Sequence, residues 1–360
     1  MKFSEYCSIE NVERQKYMDE LTKHGLITGM WAVQEKVHGS NFAIYVNDKE
    51  IKNAKRTSFM GFGEGKWDAK FYNYPKAVLK VLDKVRPIWG DFKEKHRAGC
   101  YGNKKLHVDH IIIYGELCGG NYPHPDVPKM STSQVQSGIW YSNDVEFLAF
   151  DIKIVYESGL EIFIDPFASE ILFQDHALTH IPILFSGTLD ECLEFSKTTN
   201  YAQSMIASWV FGLPAIENNT REGNVIKRCN DVRLPMGGRA IIKYKNEIWK
   251  EKAFKPNKGV IKKELEPTIA EMIESASAYL TEARLSNVLS KTGPISSKQF
   301  AYLSGLMSQD VIKDLVKDNE EKYLALGENE QKKMRTEVNK LTQDWIRPQF
   351  VNILDTFNEA

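Results

Sequence analysis

The stretch WAVQEKVHGSNFAIYV, residues 31–46, is rich in β-branched and aromatic residues and contains one glycine turn. Similar β-type runs follow at residues 110–119 (HIIIYGELCG), 146–156 (EFLAFDIKIVY), 159–164 (GLEIFI) and 239–246 (RAIIKYKN). Helical patterns interrupt them at residues 74–85 (YPKAVLKVLDKV) and 190–211 (DECLEFSKTTNYAQSMIASWVF). This mixture predicts an α+β fold with antiparallel sheets.

The pattern changes around residues 254–267, FKPNKGVIKKELEP, where two prolines, a glycine and basic residues indicate a linker. Beyond it the spacing of apolar residues is helical, and the tail at 329–347 is amphipathic up to Pro348. We therefore predict a first domain over residues 1–253, a linker over 254–267 and an all-helical C-terminal domain over 268–360.

Composition limits the function only broadly. The 360 residues are 42% hydrophobic and 26% charged, and 47 Lys and Arg balance 48 Asp and Glu, so any basic surface for nucleic acid must be local. The five cysteines include no C-x-x-C pair, which predicts reduced, mostly buried thiols rather than disulfides or a zinc site. No run of 18 apolar residues and no targeting signal is present, so we expect a cytoplasmic protein without a membrane partner.

The segment EKVHGSN, residues 35–41, places Lys36 at the end of a predicted strand and close to Gly39, where the backbone can approach a ligand. A lysine in this position can act as a covalent nucleophile. The pattern K-x-x-G is common, however, and by itself it much more often marks a solvated lysine before a turn.

Further segments follow in a fixed order at residues 54–57 (AKRT), 114–117 (YGEL), 147–151 (FLAFD), 221–227 (REGNVIK) and 241–245 (IIKYK). The series resembles motifs I, Ia, III, IIIa, IV and V of the covalent nucleotidyltransferases, which include ligases and capping enzymes. His38, two places after the lysine, is similar to the RNA ligase 2 family, whereas DNA ligases and capping guanylyltransferases usually carry aspartate there. Residues 119–128 (GGNYPHPDVP) look more like the kinetoplastid editing ligases of that family, and the helical tail looks more like its phage T4 member.

The resemblance implies a nucleotidyltransferase (ATP-grasp-like ligase) fold and an ATP-dependent RNA ligase. Such an enzyme seals 3′-hydroxyl/5′-phosphate nicks in double-stranded RNA or an RNA-containing duplex. AMP would be carried covalently on Lys36, and Mg2+, for which Mn2+ can substitute, would assist. The implied roles are catalysis by Lys36 and His38, metal binding by Glu222 and Glu116, and nucleotide binding by Glu35, Val37, Asn41, Arg56, Glu116, Phe150, Asp151, Lys227, Lys243 and Lys245.

These residue types suit the chemistry. Lys36 must lose its proton before it attacks ATP, and burial together with nearby cations would lower the pKa of a lysine in that position. Lys243 and Lys245 are two apart in a predicted strand, so they share a face and can both point toward a triphosphate. Each assignment has a structural alternative: an exposed Lys-x-Lys edge, glutamates that are salt-bridged to lysines, or a phenylalanine that belongs to the core.

Two residues of the tail, Arg284 and Asp310, align with functional residues of the phage enzyme's C-terminal domain. Arg284 interrupts the apolar row Met272, Ala276, Leu280 and Val288 and has no acidic residue three or four positions away. We therefore expect it to reach a phosphate or another element, unless its head extends back to water. The alternative for Asp310 is a favourable position in the first turn of a helix capped by Ser308.

Two other classes of function remain to be distinguished. A DNA ligase or a capping guanylyltransferase would share the same motifs. A catalytically silent RNA-binding module would not need them, and the presence of every chemically required residue type disfavours it. The sequence indicates no protein partner.

Overall fold

The computed structural model describes residues 1–60, 74–132, 134–199, 202–231, 233–234, 238–249, 267–292, 295–350 and 352–354. The chain divides into two compact units, Met1–Asn246 and Glu247–Ala360. The predicted linker lies outside the described residues except for Pro267, so its bounds remain a prediction. None of the described helices is both long and apolar enough to cross a membrane.

The strands of the first unit form two sheets. They are β1 (Glu10–Asn11), β2 (Trp31–Glu35), β3 (Ser40–Val46), β4 (Ile51–Lys55), β5 (Ser58–Met60), β6 (Val108–Gly119), β7 (Val145–Tyr156), β8 (Glu161–Phe163), β9 (Ile183–Gly187), β10 (Gly223–Arg228) and β11 (Ile241–Lys245). One sheet has the order β1-β11-β10-β2-β9, and the other has the order β5-β4-β3-β6-β7-β8. All neighbours are antiparallel except β1 and β11, which confirms the predicted antiparallel α+β architecture.

Helices cover the outer faces of both sheets. Those of the first unit are α1 (Gln15–Lys23), α2 (Tyr74–Leu79), α3 (Leu82–Ala98), α4 (Pro166–Asp175) and α5 (Leu189–Thr198). Successive strand residues alternate in direction, and in β3 Phe42 and Ile44 pack toward α2 and α3 while Ala43 and Tyr45 face the other sheet. The face that carries Ala43 and Tyr45 is the inner face of the six-stranded sheet. Ala43 and Tyr45 share a buried cluster there with Val225 and Ile241 of the five-stranded sheet.

Both predicted helices of the first unit are interrupted. Residues 74–85 divide into α2 and α3 at Val81, which lets Val78 and Val85 both pack against the six-stranded sheet. The prediction of one helix over residues 190–211 is wrong, because α5 ends at Thr198 and a short π-helical turn covers Ile206–Val210. The intervening polar groups are bound by a residue far away in the sequence, as described below.

The described part of the second unit is helical and encloses its own apolar core. Its helices are α6 (Pro267–Ser277), α7 (Glu282–Thr292), α8 (Phe300–Asp318), α9 (Glu320–Leu324) and α10 (Glu328–Ile346). Ser308 lies in the middle of α8 and does not cap a helix, so the alternative explanation for Asp310 is wrong. The chain enters α8 through a capping box formed by Ser296 and Gln299 and a short 3-10 turn.

Candidate active site

The loop at residues 36–39 carries the chain from the five-stranded sheet to the six-stranded sheet. It follows β2 and precedes β3, so its residues lie where the two sheets meet. The amide of Lys36 donates a hydrogen bond to the Gly223 carbonyl, with 2.9 Å between nitrogen and oxygen. The amide of His38 donates to the Tyr141 hydroxyl at 2.8 Å, so both ends of the loop are held.

Gly39 allows this loop to approach β6 closely. A Cβ atom added at Gly39 would lie 2.1 Å from the Leu117 carbonyl oxygen and 2.8 Å from Cγ of Glu116. A backbone oxygen in a paired strand cannot yield as a flexible side chain can, so only glycine fits without moving the sheet.

Gly39→Ala is therefore expected to lower the free energy of unfolding by about 2–3 kcal/mol, the usual cost of overpacking a tight site. Urea unfolding would measure this change. Gly90→Ala in α3 is the matched control, because a Cβ there meets nothing within 4 Å and alanine is the better helix former. Equal unfolding midpoints for Gly39→Ala and the unsubstituted protein would contradict the assignment.

Glu222 is the centre of a buried charged cluster. Its carboxylate lies 2.7 Å from Nζ of Lys36, 2.9 Å from Nζ of Lys245 and 3.3 Å from Nδ1 of His38. Burial would raise the pKa of Glu222, but Lys245, Lys36 and His38 outweigh it and hold the pKa well below its usual range. Lys36 thus lies near a cation, Lys245, as expected, and its ammonium is also paired with a carboxylate, which is the salt-bridged alternative for the glutamates.

Lys243 and Lys245 project from the same face of β11, as their spacing predicted. Cross-strand pairing places Lys243 opposite Val225 and Lys245 opposite Gly223, which puts both on the inner face with Ile241. The alternative of an exposed edge is wrong, since β11 lies between β1 and β10 and Lys245 is buried.

Glu116 and Asn41 are directly opposite each other on β6 and β3. Burial and the negative charge of Glu222 raise the pKa of Glu116, while Lys36 and Arg56 oppose the rise, and the resulting value is about 8. Arg56 is half-buried just after β4, and its guanidinium is 3.3 Å from the Glu5 carboxylate. The structure therefore brings Glu116, Arg56, Lys36 and Glu222 into one electrostatic neighbourhood.

Phe150 is the extra residue of a β-bulge. Tyr114 and Gly115 of β6 pair with Asp151 and Ala149 of β7, so Phe150 has no cross-strand partner. Its ring contacts the Tyr6 ring edge-on at 5.2 Å and lies 5.1 Å from Nζ of Lys227. Bulges near functional sites redirect side chains, and this half-buried ring lies at the inner face, packed against the buried cluster there.

Asp151 and Lys227 lie together behind that ring. Lys227 donates to the Phe150 carbonyl at 2.7 Å and is 3.1 Å from Asp151, which also binds Arg239 and the Tyr6 hydroxyl. Burial lowers the pKa of Lys227 to about 8, although Asp151 opposes this shift. Each of these two charges is engaged by protein groups behind Phe150, and the nucleotide binding predicted for Asp151 and Lys227 stays a prediction.

Glu35 and Val37 are placed differently from Lys36. The Glu35 carboxylate is buried on the opposite side of β2 and binds Ser204 and Met205. The nucleotide binding predicted for Glu35 stays a prediction. Val37 is buried within the loop. Either residue could reach a nucleotide only through its backbone.

Arg284 and Asp310 meet inside the helical unit. The Arg284 side chain is 1% exposed, and its guanidinium binds the carboxylates of Asp310 and, at 2.7 Å, Asp314 on α8. The expectation that Arg284 reaches another element is confirmed, and the alternative that its head lies in water is wrong. A direct phosphate contact would require this buried guanidinium to leave its two partners.

The acidic residues fit a magnesium site that a substrate completes. Among the described residues, no three His, Cys, Asp or Glu side chains are arranged to hold a metal ion by themselves. Magnesium, however, is commonly bound by one or two carboxylates together with substrate phosphates and water. If magnesium binds here together with a substrate, Glu222 and Glu116, whose charges interact, would be its carboxylate donors.

Several residues of the site were missed in the sequence: Tyr6, Tyr141, Ser204, Arg221 and Arg239. Four of them lie outside the motif segments, and Arg221 opens one of these segments without having been given a role; their partners are distant along the chain, as with Tyr6 and Asp151. Only Arg221 offered a signal, because it is a charged residue directly before Glu222 in an otherwise strand-like context.

All five cysteines are free, and only Cys100 is exposed, as expected.

Comparisons with known proteins agree for both units of the chain. The family model for RNA ligase matches residues 29–245, and the model for T4 RNA ligase 2 C-terminal matches residues 260–344. The chain is 28% identical over 376 residues to mitochondrial RNA-editing ligase 2 of Trypanosoma brucei brucei, covering 88% of this chain and 84% of that relative. Mitochondrial RNA-editing ligase 1 of the same organism is 28% identical over 375 residues, with 88% and 76% covered.

Solved structures resemble the chain more distantly. Naegleria gruberi RNA ligase with PPi has a TM-score of 0.40 and 16% identity, and the match covers 68% of this chain. A point mutant of that ligase with ATP and Mn has a TM-score of 0.41 at 16% identity, and the match covers 69% of this chain. The match spans little more than half of the Naegleria chains, 56% and 57%.

Proposed function

Because the chain belongs to the RNA ligase family, we propose that it uses ATP to seal 3′-hydroxyl/5′-phosphate nicks in duplex RNA. The observation that carries this proposal is the position of Lys36. Its amine lies between the two sheets, 2.7 Å from a buried glutamate and on the side to which Lys243 and Lys245 project. A lone surface lysine would have no such surroundings.

The proposed reaction has three steps. The amine of Lys36 attacks the α-phosphorus of ATP, so that a nitrogen–phosphorus bond forms and pyrophosphate leaves. The RNA 5′-phosphate then takes AMP from Lys36. Finally the 3′-hydroxyl attacks the activated 5′-phosphate, forming the phosphodiester bond and releasing AMP.

The chain's own residues would support these steps by position and charge. Lys243 and Lys245 would offset negative charge on the phosphates, which is worth more in a buried site than in water. Phe150 offers a ring face for adenine, held by Tyr6 and Lys227. Magnesium held by Glu222 and Glu116 would add positive charge beside the phosphates.

Sealing assays on four nicked duplexes test the proposal, with RNA or DNA placed independently on each side of the nick. We expect sealing of the all-RNA nick and not of the all-DNA nick, since 2′-hydroxyl and helix-shape contacts distinguish the two polymers. Sealing of all-DNA nicks alone would favour a DNA ligase. Covalent labelling by GTP instead of ATP would favour a capping enzyme, and no labelling at all would favour a binding module.

We also propose that the helical unit docks the RNA and that Arg284 braces it. Arg284→Ala removes the buried guanidinium that Asp310 and Asp314 bind, and because hydrogen bonds to charged groups are worth about 1.5–3 kcal/mol, the unit's free energy of unfolding should fall by about that amount. We expect the variant still to attach AMP to Lys36 but to lose transfer to the RNA 5′-phosphate. Asp310→Ala should have the same effect to a smaller degree.

Labelling, sealing and urea unfolding measured side by side would check this. The exposed Lys313→Ala on the same helix as Asp310 is the matched control and should behave like the unsubstituted protein. Full sealing by Arg284→Ala would contradict the docking role. A proportional loss of labelling and sealing would show that the damage is not confined to the helical unit.

A further inference from the structure

Two buried charged residues stand directly before the two central residues of the site. Glu35 precedes Lys36, and Arg221 precedes Glu222; both are about as buried as the core, at 1% and 2% exposed. Gln34 pairs with Val225, whose side chain lies on the inner face of the sheet, and Glu35 pairs with Asn224. Because neighbouring residues of a strand point to opposite faces, the Glu35 side chain lies on the outer face of β2. The Glu35 side chain therefore lies outside the cleft that Lys36 faces.

Both side chains hold the chain between α5 and the π-helical turn, through Thr199 at the end of α5 and through the segment 202–205. The Ser204 hydroxyl donates to one oxygen of Glu35 at 2.6 Å, and the Met205 amide donates to the other at 2.9 Å. Arg221 donates through Nη2 to the Thr199 carbonyl at 2.9 Å. We call these contacts the latch, formed by Glu35 and Arg221 with Thr199, Ser204 and Met205.

Backbone hydrogen bonds strengthen the latch. The Ser204 amide donates to the Asn219 carbonyl at 2.8 Å, and the Arg221 amide donates to the Ala202 carbonyl at 3.2 Å. The segment is thus joined both to the strand that ends at Glu35, directly before Lys36, and to the chain that leads into Glu222. A displacement of the segment would be transmitted to both residues.

The charge of Glu35 also needs the latch. Burial raises the pKa of Glu35 to about 7, while the bonds from Ser204 and Met205 and the charge of Arg221 oppose the rise. Hydrogen bonds to an ionised acceptor are about twice as strong as neutral ones. Replacing the carboxylate with an amide of the same shape would weaken both bonds, and the amide nitrogen would oppose at least one donor.

We propose that Glu35, Arg221 and Ser204 are positioning residues that fix the geometry of Lys36 relative to Glu222. The inference rests on the proposed function. Attack on phosphorus requires the reacting atoms to be held in near-contact geometry, and an error of about 1 Å can cost roughly a hundredfold in rate. The latch lies outside the cleft, so it acts on the nucleophile and not on ATP.

Single-turnover attachment of AMP across a range of ATP concentrations tests this inference. Glu35→Gln and Ser204→Ala are expected to lower the maximal rate about tenfold, since each weakens hydrogen bonds to a buried charge. The half-saturating ATP concentration should change less than about twofold, because ground-state ATP binding is retained. Ser196→Ala is the matched control: this serine is also fully buried, and its hydroxyl has no hydrogen-bond partner among the described residues.

Ser204→Thr keeps the hydroxyl and should restore most of the rate, which a general loss of packing would not predict. If thermal unfolding shows that Glu35→Gln does not fold, the comparison of Ser204→Ala with Ser204→Thr still tests the inference. Unchanged maximal rates in Ser204→Ala and Glu35→Gln, or a raised half-saturating ATP concentration alone, would overturn the inference. Absence of labelling in the unsubstituted protein would overturn the proposed function and this inference together.

Discussion

Lys36→Ala is expected to abolish covalent labelling by ATP that carries the label on its α-phosphate, and to abolish sealing with it. No other group can replace the amine that forms the bond to phosphorus. Lys36→Arg should be equally inactive, because it keeps the positive charge beside Glu222 but offers no comparable nucleophile. Denaturing electrophoresis of the labelled protein would measure the loss.

Both variants should remain folded. Glu222 keeps Lys245 and His38 as partners when Lys36 is removed, so no buried carboxylate is left without a partner. Thermal unfolding would show this, and the exposed Lys197→Ala is a control for non-specific effects. Persistent labelling of Lys36→Ala would mean that the nucleophile lies elsewhere in the chain.

Glu222→Ala has the second largest expected effect, a fall in the labelling rate on the order of 100- to 1000-fold. The substitution leaves Lys36, Lys245 and His38 close together without the carboxylate that they share. Removal of one member of a buried ion pair typically costs about 3–5 kcal/mol, so the free energy of unfolding should fall as well. Labelling rates across a magnesium series, together with urea unfolding, would measure both effects.

The magnesium series separates two roles of Glu222. If the carboxylate is a direct metal ligand, Glu222→Ala should need more Mg2+ for half-maximal labelling, and excess Mg2+ should not fully restore the rate; a purely structural role would lower the rate without changing its Mg2+ dependence. Glu217→Ala, an exposed acid in the same stretch of chain, should label normally. A Glu222→Ala protein that labels at the normal rate would exclude this glutamate from the site.

Local sequence patterns predicted most of the fold, because strands and helices have different apolar periods. The β-type run at residues 31–46 corresponds to β2 and β3, and the amphipathic tail at 329–347 corresponds to α10. The predicted helix at 190–211 failed for a tertiary reason. Its Ser204 hydroxyl and Met205 amide bind Glu35, which lies 169 and 170 residues away, and no local propensity reveals such a partner.

The sequence predicted which residues belong to the candidate site better than it predicted which of them contact one another. The motif order identified Lys36 and Glu222, but their direct pairing depends on how β2 meets β10 in the sheet. Arg284 shows the same limit, because its acidic partners are 26 and 30 residues away and a search within one helix could not find them. The Glu35 side chain points away from Lys36, and this could not be predicted because the motif names a residue without fixing its side-chain direction.

The most direct test of the account uses the adenylylated protein itself. Protein labelled with AMP would be separated from ATP, mapped by peptide mass spectrometry, and mixed with a nicked RNA duplex and Mg2+ alone. We predict that AMP is found on the peptide that contains Lys36, and that it disappears as the RNA strand is sealed. AMP on another residue, or a Lys36 adduct that stays unchanged on the RNA nick, would contradict the account.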